Sequence, residues 1–178
     1  RKKVKCGCCG FVFEVNALGS TNTCGSMDLD TRPPEMMRST MTYWLTPCPE
    51  CGYVTSNIEL CNNLMKDVVH SLETRSISLS TVYSTLCKNF LQFAMICACK
   101  KDKAGEVYSY LHAAWVCDDN HEITNAIALR KQCISLIDKL SIHDSNETFQ
   151  VIKADLLRRS KEFVVLIEEY EVMKFSNG

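Results

Sequence analysis

A chain of 178 residues with 46% apolar and 23% charged residues has the makeup of a folded protein with room for one ordinary domain or two small ones, which excludes the disordered and collagen-like classes. A net charge of -1 excludes a protein-wide basic field for holding nucleic acid. Twelve cysteines are the clearest departure from average composition.

The only basic run, Arg1-Lys2-Lys3-Val4-Lys5, reads as a solvated end. Directly after it comes Cys6-Gly7-Cys8-Cys9-Gly10, answered later by Cys48-Pro49-Glu50-Cys51-Gly52. Each is Cys-x-x-Cys followed by glycine. Two thiolates so spaced on a tight turn reach one metal ion, and the glycine lets the backbone turn back. Cys6, Cys9, Cys48 and Cys51 therefore form a candidate four-thiolate site. It suits one Zn²⁺ per chain first and iron second, since both accept soft sulfur in a tetrahedron. Cys8 and Cys24 are spare thiols nearby, and a swap of Cys8 into the ligand set stays open.

Alternating β-rich residues predict strands over 11–15, leaving the first knuckle, over 41–46, entering the second, and over 53–55, leaving it. Together these make residues 1–56 a small zinc-ribbon-like module, whose metal replaces the core that so few residues cannot build, at a gain of about 10 kcal/mol or more. Between the knuckles, residues 16–40 form a long connection containing Pro33-Pro34 and a dense set of charges. Asp28, Asp30, Arg32 and Glu35 either hold the shape of this loop or form a recognition surface.

From residue 57 the period becomes helical. Helices are predicted over 57–74 (capped by Ser56), 80–101, 106–117, 123–140 and 148–175, with a serine-rich break over 71–80 and Asp119 or Asn120 capping the fourth. The fold class is α+β, mostly α. Residues 57–178 form the second domain, an antiparallel helical bundle or a short solenoid resembling tetratricopeptide repeats, although no second copy stands at a fixed period. Cys61, Cys87, Cys97, Cys99, Cys117 and Cys133 fall inside the helical apolar pattern. Buried free thiols fit a reducing cytoplasm, and no stretch of about 18 apolar residues suggests a membrane span. Trp115 reads as core, and His70, His112, His121 and His143 as structural or solvated. No phosphate loop, nucleophile elbow or His-Glu-x-x-His pattern points to catalysis.

Cys6 to Gly10, the Asp28-Leu29-Asp30 loop, Cys48 to Tyr53 and Ala113-Ala114-Trp115 together resemble an uncharacterised bacterial family in which an N-terminal zinc ribbon precedes tetratricopeptide-like helices. The resemblance implies that architecture and a cytoplasmic setting, with no established activity. The favoured reading is a non-enzymatic zinc protein that binds a protein or peptide through its helices. Alternatives are a rubredoxin-like iron electron carrier, whose knuckles look similar, and a nucleic-acid-binding ribbon using Arg1 to Lys5, Arg32 and Arg38 beside Tyr43 and Trp44, which the net charge disfavours.

Overall fold

The computed structural model describes residues 1–140 and 147–171. The fold is α+β and mostly α: two small antiparallel sheets precede a run of helices. His143, and the last residues of the helix expected over 148–175, lie outside the described residues.

The basic run is not a free end. Strand β1 (Lys2–Lys5) pairs antiparallel with β2 (Val12–Val15), with Val4 opposite Phe13. Val4 is buried while the lysines on either side stay exposed, the alternation that a half-buried strand requires. Pro33 and Pro34 lead into a short helix α1 (Glu35–Arg38). The strand expected over 41–46 is mostly a 3₁₀ turn at Met41–Tyr43, with strand β3 confined to Thr46–Pro47 and paired with β4 (Val54–Thr55). Met41 and Leu45 are both buried and stand four residues apart, so helical spacing prevails over the β-propensity of Tyr43 and Trp44.

The helices are α2 (Asn63–His70), α3 (Leu72–Leu79), α4 (Thr85–Cys99), α5 (Lys103–Asp119), α6 (Ile123–Ile137), α7 (Glu147–Arg159) and α8 (Phe163–Tyr170). The helix expected over 57–74 begins later, because Asn62 rather than Ser56 caps it by accepting from the Met65 amide at 2.9 Å. It ends at Ser71, whose hydroxyl accepts from the Thr74 amide at 3.2 Å and starts α3 where a serine-rich break was expected. The long last helix is likewise two, α7 and α8, hinged at residues 160–162. Neither Asp119 nor Asn120 caps α6. Glu122 holds that place without a side-chain cap bond.

One turn recurs. Lys101, His121 and Lys161 all take left-handed backbone conformations, with φ of 58°, 60° and 62°. Each is followed by an acidic residue whose amide bonds back five residues: Asp102 to Cys97, Glu122 to Cys117 and Glu162 to Leu157, at 2.8–3.0 Å. Such turns satisfy orphan carbonyls at helix ends without glycine. From α4 onward, successive helices pack chiefly on their chain neighbours, and α2 and α3 lie against α4.

Two apolar clusters hold the molecule. The larger joins α4 to α7 through residues such as Phe90, Leu111, Trp115 and Ile152, and also takes in Met41, Leu45 and Val54 from the strand region. The smaller gathers Val4, Cys6, Cys48 and Tyr53 with Ile58, Met65, Val69 and Ile96. A fully buried leucine or isoleucine such as Leu111 or Ile152 contributes about 1.5–3 kcal/mol. No helix among the described residues is long and apolar enough to cross a membrane.

Candidate metal centre

The two knuckles are the same turn built twice. The Cys6 amide donates to Phe11 O at 2.8 Å and the Gly10 amide to Cys6 O at 2.8 Å; the Cys48 amide donates to Tyr53 O at 2.8 Å and the Gly52 amide to Cys48 O at 3.0 Å. Gly10 and Gly52 stand at φ of 80° and 73°, a region that side chains disfavour. The Sγ atoms of Cys6, Cys9, Cys48 and Cys51 come together so that all lie within 4.8 Å of one another. Cys6 to Cys51 is 3.8 Å and Cys9 to Cys48 is 3.7 Å. A zinc–sulfur bond of ~2.3 Å implies tetrahedral edges of about 3.8 Å, so these separations fit one tetrahedral ion. This four-cysteine group could hold a metal ion.

Burial and polarity also fit a cation. Cys6 and Cys48 are buried, Cys51 is half-buried and Cys9 is exposed. The Phe11 amide beside Cys9 holds that thiol below its usual range, while burial pushes Cys48 and Cys51 up. Packing buried thiols around one point disfavours their ionisation unless a positive charge stands among them, and a bound divalent ion supplies it. Cys8 is outside this group and packs with Cys61 against the smaller core. Cys24 is exposed on the long loop.

The centre is anchored to the helical side at two places. Gly7 donates to Ile58 O at 2.8 Å, and a Cβ there would stand 2.4 Å from Glu59 O. Tyr53 is buried and donates to Leu60 O at 2.6 Å, and burial raises its phenol to about 12. Both contacts escaped the sequence reading. The glycine between Cys6 and Cys8 was the available signal, since a small residue inside a knuckle marks a close backbone approach.

The charged loop divides. Asp30 is fully buried, accepting from Trp115 Nε1 at 2.8 Å and from the Arg32 amide at 3.3 Å. The buried Arg32 guanidinium reaches Asp119 at 2.5 Å and Trp115 O at 3.4 Å. Asp118, on the same helix, pairs with Arg130 of α6. Asp28, partly exposed, meets Arg159 of α7 at 3.2 Å. Glu35 is exposed and pairs locally with Arg38. Asp30 and Arg32 thus latch the loop onto α5, and Asp28 and Glu35 remain at the surface. His112 sits among the rings of Trp44, Phe90, Tyr108 and Trp115, at centroid distances of 4.8–6.2 Å.

The chain matches no family model, no curated protein and no solved structure. What its chemistry can be follows from its own geometry.

Proposed function

We propose that the protein is a non-enzymatic interaction protein in which a structural four-cysteine zinc site orders one end of a helical array, the architecture of the zinc-ribbon and tetratricopeptide-like bacterial family that it resembles. The observation that carries this reading is the convergence of four thiols, those of Cys6, Cys9, Cys48 and Cys51, within 4.8 Å of one another. Four protein thiolates leave zinc no coordination position for substrate, which is the mark of a structural rather than a catalytic site. The thiols of Cys87, Cys97, Cys117 and Cys133, buried and unpaired by disulfides, support a cytoplasmic setting. A protein or peptide partner is supported by the exposed leucines Leu64 on α2, Leu72 and Leu79 on α3, and Leu60 just before them.

Exchange of the native ion for cobalt(II) tests the metal half. Intense thiolate-to-metal and tetrahedral bands are expected, and the weak spectrum of a six-coordinate ion would contradict it. Crosslinking in native cells, comparing the wild type with a Leu72→Glu/Leu79→Glu variant, tests the interaction half. A partner captured only by the wild type supports it, and identical capture profiles would overturn it. One observation favours a second reading: Cys9 brings a ligand to the surface, as iron-based electron transfer requires. Red protein from anaerobic purification would establish that alternative.

A further inference from the structure

Helices α7 and α8 form an antiparallel hairpin. Tyr170, at the end of α8, donates to Gln150 O near the start of α7 at 2.9 Å, and Glu169 meets Lys153 at 2.5 Å. Between these helices and Leu29 of the docked loop runs an open cleft of about 520 Å³. Its α7 wall is Glu147, Val151, Ala154 and Arg158, spaced three or four residues apart, so the cleft follows one face of that helix for about three turns. Leu166 and Tyr170 form the α8 wall. A cleft walled lengthwise by helices has the shape that receives another helix.

Beside it lies an apolar stripe that is exposed among the described residues. Helix α8 buries none of its residues, and Phe163, Val164 and Ile167 on its outer side are 52%, 69% and 57% exposed. Lys161 precedes the stripe, and Glu168 and Glu171 follow it. These three charges have no ion-pair partner among the described residues.

We propose that this face is a self-association surface, in which a second copy seats the Phe163, Val164 and Ile167 stripe of its own α8 in the α7–α8 cleft, reciprocally about a two-fold axis. A two-fold axis perpendicular to α8 sets the two contacting copies of the helix antiparallel, and one running along it sets them parallel. The antiparallel arrangement brings Lys161 of each copy towards Glu171 of the other. Because α7 runs opposite to α8, the incoming helix is then parallel to α7. The parallel arrangement would set Lys161 against Lys161 and Glu171 against Glu171, so the charges select the antiparallel one. The contact stands apart from the metal site and from the leucines of α2 and α3.

Analytical ultracentrifugation of the full zinc-loaded chain over a concentration series tests it. A monomer–dimer equilibrium is expected. Val164→Glu, an exposed position whose replacement leaves the core intact, is expected to give monomer with unchanged helical circular dichroism. Lys161→Glu and Glu171→Lys are each expected to weaken the dimer by about tenfold, since each places two like-charge contacts across the axis, and the double variant to recover most of that loss. A monomer at every concentration, a dimer indifferent to Val164→Glu, or a double variant weaker than both singles would overturn the proposal. None of those results would touch the metal site.

Discussion

A methyl group on Gly7 would stand 2.4 Å from Glu59 O and 3.0 Å from Cys61 N, both backbone atoms that cannot swing aside. Gly7→Ala is therefore expected to cost about 1–3 kcal/mol and to weaken metal binding at the four-cysteine site, measured by urea denaturation and by competition with a chromophoric chelator; unchanged values in both would show that the knuckle does not rest on residues 58–61. His112 offers a pH test. Burial among aromatic rings pushes its imidazole down to about 4 from an ordinary 6.5. Above pH 6.5 folded and unfolded chains both hold it neutral. As the pH falls from about 6.5 to about 4 only the unfolded state gains the proton, so stability drops across that window by at most about 3 kcal/mol and levels off below it. His112→Phe is expected to flatten that part of the stability–pH curve relative to wild type, and parallel curves would contradict the assignment. The sequence placed His112 in a helix with Tyr108 and Trp115 a turn away on either side, but nothing local marks Trp44 and Phe90, which arrive from other elements.

Among elements, the segment from Asp28 to Glu35 works as a latch between the knuckles and α5. Asp30 holds Trp115 from 85 residues away, and Arg32 holds Asp119 from 87. Asp30→Ala strands the indole N–H and leaves Arg32 short of a neighbouring carboxylate, at an expected cost of about 2–4 kcal/mol with a change in tryptophan emission. Asp30→Asn keeps an acceptor for the indole and is expected to cost less; equal costs would show that charge, rather than the hydrogen bond, carries the latch. Such long-range pairing explains why the loop read from sequence as a choice between shape and recognition. Other misreadings were local. The ends of α2 and α7 fall at Ser71 and Lys161, with no glycine or proline to mark them, and β1 hides because Val4 is the only apolar residue of a strand otherwise made of lysine. The knuckles, by contrast, were legible at once, since their chemistry needs its cysteines and glycines at fixed spacing within five residues.

For the whole molecule, the four-cysteine region and the helices share both apolar clusters. Met41, Leu45 and Val54 pack with Phe90 and Trp115, and Cys6, Cys48 and Tyr53 pack with Met65, Val69 and Ile96. Removing the ion is therefore expected to lower the melting midpoint of the helices as well as to loosen the knuckles; a helical transition indifferent to a chelator would show that the clusters do not couple the two. The helical composition was readable from periodicity, while the sharing of cores was not, because residues such as Met41 and Leu45 belong to a segment whose local pattern points to a strand. The most direct measurement of the central claim is native mass spectrometry, with a visible absorption spectrum, of protein purified anaerobically without added metal. The expected result is one colourless zinc ion per chain, absent from a Cys48→Ser/Cys51→Ser variant. A folded chain that carries no metal, or one whose metal survives that double substitution, would contradict the four-cysteine centre.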